Sequence, residues 1–523
     1  MQKKMLVFTL IALVSASTFA ETVLRRDNGA EPKSIDPQIS TESAGSTIIY
    51  DIFEGLTKTN IEGNIVAGAA KSWEVSEDGK TYTFHLRDNG KWSDGNPVTA
   101  QDFVYAWQRA VNPATASEYA FVLYPVENAE AIANGEEKDI TKLGVKAIDD
   151  KTFEVHLNYP VPYFLGLTAH YTTYPVPKAA IEAYGDKWTQ PGNLISNGAY
   201  HLTAWQPQSQ ITVKKSNTYW DADNVQIDKV IYYPIEDRSS AIKRYRANEI
   251  DYVESVPTES LEWAKKEIPN QLKIHPYLAT YWYGFNLTKP PFKDNLNLRK
   301  ALTLAIDRKT LVEKVAKAGQ VPAYAVVPPN TANSDPYTPE WAKLDRKAQI
   351  AEAQKAYAEA GYSKEKPLKV QVLYNTNEGH KNIAIAVSAM WKQVLGVQTE
   401  LVNKEWKVAI QDMRQKNTEV YRYAWVGDYN DPTTFLNIFR ASSGVNDTGY
   451  NNPEYDALLN KASTILDLKE RAAVLKQAEK ILTDNYAIAP MYHYVSVKLV
   501  KPRVKGFKGN IMDVYPSQYL RIE

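Results

Sequence analysis

The chain has 523 residues, with 61 Lys and Arg against 61 Asp and Glu, so its formal net charge is zero. The length suits about three domains of ordinary size, and 44% apolar with 23% charged residues excludes a disordered chain. Balanced charge excludes the field that draws in nucleic acid or an anionic membrane, and the lack of cysteine excludes disulfides, thiol chemistry and cysteine-held zinc or iron–sulfur centres.

Lys3 and Lys4 precede an apolar run over 5–14, and small residues follow as far as Ala20. This is the pattern of a cleavable secretory leader, with cleavage expected after Ala20. The run is too short for a stable anchor, and no later segment reaches ~18 uninterrupted apolar residues. Without a cysteine to carry a lipid, the expectation is a free exported protein in a Gram-negative periplasm.

Strands are expected to dominate the first half. Thr81-Tyr82-Thr83-Phe84-His85-Leu86 alternates as a half-buried strand does. Asp88-Asn89-Gly90 and Asp94-Gly95 are turn signals around Lys91-Trp92-Ser93. Thr99 and Asp102 form an imperfect capping box, with Phe103, Ala106 and Trp107 on the inner face of the helix that follows. Residues 152–157 and 210–214 read as further strands. Helices are expected to dominate the second half: 298–306, a helix capped by Asp307 that runs to Lys317 and stops at Gly319, 346–360 ending at Gly361, 379–395 and 469–482. Strands at 368–374 and 397–401 alternate with them, which implies mixed α/β sheets covered by helices.

Catalytic signatures are missing. There is no G-x-S-x-G elbow, Walker A loop, G-x-G-x-x-G or H-E-x-x-H. No two of the seven histidines lie within four residues of each other, so no metal pair sits on one helix face. Neither an enzyme nor a cofactor is expected. The 34 Tyr and 12 Trp are a different signal, because each offers a rigid apolar body with a polar tip. They serve recognition surfaces or ordinary cores equally well.

Several segments carry a resemblance when taken in order: Phe84-His85-Leu86-Arg87 with Lys91-Trp92-Ser93-Asp94-Gly95, the stretch 98–105, Asn197-Gly198-Ala199-Tyr200, and the stretch 245–251. They are joined by Tyr374-Asn375-Thr376, His380-Lys381, Glu405-Trp406-Lys407 and Trp425-Val426-Gly427-Asp428-Tyr429-Asn430. Together they resemble the periplasmic oligopeptide-binding proteins of ABC transporters, in the family 5 (peptide/nickel) solute-binding class.

The resemblance implies an α/β, three-lobed Venus-flytrap fold with mixed sheets and the ligand enclosed between lobes I and III. Lobe I would combine 21–55, 190–276 and 491–523; lobe II would be 56–189; lobe III would be 277–490. It implies a monomeric receptor that takes peptides of about two to five residues by their termini and backbone and hands them to an inner-membrane ABC permease. Asp428 matches the family's partner for the peptide α-amine, although its surroundings also read as a turn. Arg422 and His380 match positions that receive the carboxylate of shorter and longer peptides. The lysine used for dipeptides falls on Ala316, next to Lys317. Thr41-Glu42-Ser43 and Ala424-Trp425 match backbone stretches that pair with the peptide as a strand. Tyr119, Trp406 and Trp425 match pocket-lining positions. The family's disulfide falls on Ala279 and Val426, where packing would replace it. Glu42 adds a negative charge that would favour basic residues early in the peptide. The alternatives are a dedicated receptor for murein tripeptide, whose extra carboxylates call for extra cations, a haem or nickel receptor by fold kinship, an exported peptide hydrolase, and a periplasmic chaperone.

Overall fold

The computed structural model describes residues 21–523. The leader and its cleavage point fall on 1–20 and lie outside the described residues.

A mixed sheet of eleven strands runs through the molecule. Two long antiparallel strands form its middle, Leu272–Phe285 and Ile488–Val500. On one side, Leu499 and Val500 pair with the short strand Tyr252–Val253. From there the sheet continues through Val23–Asp27, Lys229–Tyr233, Gln210–Lys215 and Tyr200–Gln206. On the other side, Ala279 to Phe285 pair with Val420–Val426, followed by Lys369–Asn375 and Gln398–Lys404. The two long strands therefore belong to both halves of the sheet. Their register breaks where the halves meet: Pro276 faces Val495 and Thr280 faces His493, so three residues bulge opposite Tyr494. A bulge of this kind bends a strand and increases its twist.

A second, antiparallel sheet holds Ala70–Val75, Thr81–Leu86, Thr152–His156 and Val145–Asp149 in that spatial order. The helix Ala100–Val111 covers it. Its start is the expected box, with the Asp102 carboxylate accepting the Thr99 backbone N–H at 2.8 Å. Phe103, Ala106 and Trp107 are all fully buried, and the Trp107 ring lies edge-on to Phe153 at 5.2 Å. Glu54, between the two sheets in sequence, accepts from Lys58 Nζ at 2.8 Å and from Trp220 Nε1 at 2.7 Å.

Alternation along Val420–Val426 separates two cores. Val420 and Ala424 pack with Tyr281, Tyr283 and Trp391. Tyr421, Tyr423 and Trp425 pack with Trp282 and Phe435 on the opposite face. Residues i and i+2 share a face of a strand, so Arg422 lies on the Ala424 side.

Two expectations are corrected. The helix capped by Asp307 ends one residue early. Its last turns, over 311–316, widen to an i→i−5 pattern, Lys317 N–H donates to Val312 at 2.9 Å, and Lys317 itself turns left-handed at φ 60°. Lys317 rather than Gly319 is thus the stop. The stretch 41–43 is not a strand: Glu42 is the extended N-cap residue and Ser43 opens the helix Ser43–Ile52. The two central strands, Leu272–Phe285 and Ile488–Val500, carry no clear sequence signal.

Candidate functional site

The segment 427–431 leaves the end of Val420–Val426 as a tightly held turn. Gly427 N–H donates to the Leu278 carbonyl at 2.7 Å, and Asp428 N–H donates to Thr434 Oγ1 at 3.0 Å. A Cβ on Gly427 would come within 2.5 Å of the Leu278 side chain, so only glycine fits there. Asp431 is locked below by a fully buried ion pair with Arg471, with N–O distances of 2.7 and 2.9 Å. These bonds fix the direction in which Asp428 points.

Asp428 meets a cluster of tyrosines. Tyr50, Tyr119 and Tyr171 all lie near enough to feel its charge, Tyr119 most strongly. The rings touch one another: Tyr119 and Tyr171 at 6.0 Å, Tyr50 and Tyr171 at 5.9 Å. Among the described residues no lysine, arginine or histidine forms an ion pair with Asp428. Burial pushes its carboxyl from 3.8 up to about 7, and Tyr119 offsets only part of this. A carboxylate held this way is short of one cation.

The mirror-image deficit lies on the strand that leads into this turn. Arg422 is buried, with Nη1 donating to Asn375 Oδ1 at 3.1 Å and Nη2 to the Tyr494 hydroxyl at 3.0 Å. Its guanidinium lies over the Tyr281 ring at 4.8 Å, and Nε has no partner. No carboxylate pairs with it among the described residues. His380 stands beside it: burial first, then the Arg422 charge, hold its imidazole down at about 2, so it is neutral. Between the two ends the backbone is open on one edge. Pairing with Lys369–Asn375 stops at Tyr421, so from Arg422 to Val426 the strand has a neighbour only on the Leu272–Phe285 side.

The expected residues divide into groups. Asp428 with Tyr119, and Arg422 with His380, are brought together as pairs, and Ala424 lies between them on the open edge. Glu42 stands near the tyrosine cluster, close enough for its charge to act on Tyr171, while its carboxylate accepts the Lys33 backbone N–H. Thr41 and Ser43 are exposed beside it. Trp425 turns to the face opposite Arg422, where its Nε1 donates to Thr434 Oγ1 at 3.4 Å. Trp406, 41% exposed, stacks on Tyr423 at 6.4 Å on that same face. Ala279 and Val426 face each other in register, with Ala279 buried and Val426 45% exposed, so apolar packing covers only one of the two. Lys317 is exposed at its helix end. Tyr50, Tyr171, Tyr281 and Tyr494 escaped the sequence reading, because nothing separates four tyrosines from thirty others. Asn375 lay inside a quoted motif, without a role.

The model of the bacterial extracellular solute-binding proteins, family 5 (middle region), matches residues 64–447. The chain belongs to this family. The periplasmic oligopeptide-binding protein OppA of Escherichia coli K12 is 45% identical over 508 residues, which is 96% of this chain and 93% of that protein. The solved structure of the E. coli murein tripeptide binding protein MppA superposes with a TM-score of 0.88 at 42% identity, covering 96% of this chain and 98% of that one. Haemophilus influenzae OppA in complex with RPPGFSPFR gives 0.87 at 40% identity, covering 96% and 99%. The family 5 chain therefore shares its mixed α/β binding-protein fold with these relatives along nearly its whole length.

Proposed function

We propose that this family 5 protein is a periplasmic receptor that captures short peptides by their termini and backbone and presents them to an inner-membrane ABC permease. It acts as a monomer and performs no chemistry on its ligand. One observation carries the reading: a buried guanidinium without an anion on a strand with an open edge, and six residues on, in the turn that follows the strand, a buried carboxylate without a cation. A free peptide supplies the complement, an ammonium at one end and a carboxylate at the other, with backbone N–H and C=O groups between them. Six extended residues span at most about 20 Å, which accommodates up to about five extended peptide residues. The lobes of this receptor are 21–55 with 190–276 and 491–523, then 56–189, then 277–490, and the peptide lies between the first and the last. Its residues are Asp428 with Tyr119 at the amine, Arg422 and His380 at the carboxylate, Glu42 and Ala424 alongside the backbone, and Trp406 and Trp425 lining pockets.

A murein peptide is the second reading, supported by the likeness to MppA. It brings several carboxylates, whereas the Arg422 cluster offers one permanent cation beside a neutral His380. That favours ligands with a single carboxylate at this end.

Calorimetry with trialanine and N-acetyl-trialanine tests the reading. A charge-assisted hydrogen bond is worth about 1.5–3 kcal/mol, so Asp428→Asn should weaken trialanine binding by roughly 10- to 100-fold. N-acetyl-trialanine should bind weakly, and alike, to both proteins. Equal affinity of the two proteins for trialanine would refute the amine site, and release of alanine during the titration would point to a hydrolase.

A further inference from the structure

Among the buried arginines of the described residues, Arg471 meets a carboxylate, Asp431, at 2.7 Å. Arg26, Arg299 and Arg308 rest mainly on backbone carbonyls, whereas both ends of the Arg422 fork rest on neutral side-chain oxygens, Asn375 Oδ1 and the Tyr494 hydroxyl. A neutral acceptor fixes the plane of the fork without discharging it. Five donors in that plane, two of them used and Nε unpartnered, leave the group free to receive a carboxylate through two parallel bonds.

The two acceptors are not equivalent. Asn375 ends the strand Lys369–Asn375 in the same half of the sheet as Arg422. Tyr494 lies on Ile488–Val500, the strand that both halves share, opposite the three-residue bulge. Its ring meets Tyr277 of that bulge edge-on at 6.4 Å. Tyr277 is half-buried and lies near Asp513 and Glu254, which belong to the other half, and near Lys498 on the shared strand. The hydroxyl that aims the guanidinium is thus anchored where the halves join.

We propose that Tyr494 is a positioning residue that sets this receptor's selectivity for a free C-terminal carboxylate, by holding the Arg422 fork in plane from the shared strand. This rests on the reading of Arg422 as the carboxylate partner. Without the hydroxyl the guanidinium keeps its charge but loses one of its two fixed ends, so two-bond recognition suffers while binding through the amine and the backbone does not.

The test is calorimetric affinity for trialanine and for trialanine amide, in wild type, Tyr494→Phe and Asn375→Ala. Wild type should prefer the acid. Loss of one orienting hydrogen bond should shrink the acid-to-amide ratio about five-fold in Tyr494→Phe, with affinity for the amide within two-fold of wild type. Asn375→Ala should shrink it in the same sense. Tyr494→Met also lacks the hydroxyl and is measured alongside, so that the result does not depend on one packing change. An unchanged ratio in both Tyr494 variants, or acid and amide weakening in step, overturns the positioning role. A wild type indifferent to the amide overturns the carboxylate site itself, and is distinguished from the other outcomes because it needs no variant.

Discussion

Asp428 and Glu479 are two buried acids with different duties. Glu479 accepts backbone N–H groups from Val327 at 2.8 Å and Tyr337 at 2.9 Å, yet burial still pushes it up to about 7. It pins the loop that also reaches the Asp428 turn through Ala332 N–H and Asn430 Oδ1 at 2.8 Å. Asp428 has the same raised value and only a tyrosine for company. For both, the native value exceeds the unfolded one, so the native chain holds extra protons between about pH 4 and pH 7. Stability then falls as pH rises through that window. His170, His380 and His493 act in the opposite sense, because burial lowers them to about 3, 2 and 3 and charging them below pH 6.5 favours unfolding. The Asp428 share is isolated by comparing variants. Without ligand, the melting temperature of Asp428→Asn should lie nearest wild type below about pH 4 and exceed it by a margin that grows to a few degrees by pH 7.5. Saturating trialanine should reverse that order at pH 7.5, because an ammonium partner lowers the carboxyl. Melting curves that differ by the same amount at every pH would contradict the uncompensated carboxylate. Asp428 and His380 each stood inside a quoted motif, and Arg422 matched a family position. The tyrosines around them, Tyr50, Tyr119, Tyr171, Tyr281 and Tyr494, come from five distant stretches of chain, and only folding brings them together.

At the scale of elements, the turn that carries Asp428 depends on a bond made elsewhere. Arg471, on the helix Leu468–Asp484, reaches both oxygens of Asp431 in a dry site, and its guanidinium also lies over Tyr163 at 5.3 Å. Breaking one partner of such a pair leaves a buried charge, at a cost of about 3–5 kcal/mol. Arg471→Met should therefore lower unfolding stability in denaturant by that amount and weaken peptide binding, because 427–431 loses its floor. An unchanged denaturation midpoint would show that the pair carries no weight. Local elements were well signalled where one face meets water. Thr81–Leu86 alternates buried and half-buried along its length, and the Thr99–Asp102 box marks its helix to the residue. The signal failed at Leu272–Phe285 and Ile488–Val500. Much of their length is buried on both faces, which erases alternation. Pro276 and Pro490 also lie inside them, at the two places where the register shifts, and proline argues against a central strand. The elements that join the halves are thus the ones a sequence conceals.

At the scale of the molecule, segment 56–189 touches the Asp428 turn twice. Tyr119 approaches the Asp428 carboxylate closely enough to act on it, and Tyr163 stacks on Tyr429 with centroids 4.6 Å apart and planes within 2°. These are the contacts that bring the wall of the site against its floor. The double variant Tyr119→Phe, Tyr163→Ala should raise the radius of gyration of the ligand-free protein in X-ray scattering, and trialanine should restore the smaller value. A radius identical to wild type without ligand would mean that other contacts hold this arrangement. The broad architecture was legible, because alternating strands and helices imply mixed sheets. The sharing of one sheet between two halves was not, because it depends on pairings between distant residues. That sharing also bears on how the sheet is completed. Thr22, at the root of the first strand, meets its partner Asp228 across 206 residues, and the central strands Leu272–Phe285 and Ile488–Val500 pair from far apart along the chain. Pairings of such long range close slowly, so until they form, the strand edges that await them stay open to other copies of the chain and need shielding from them.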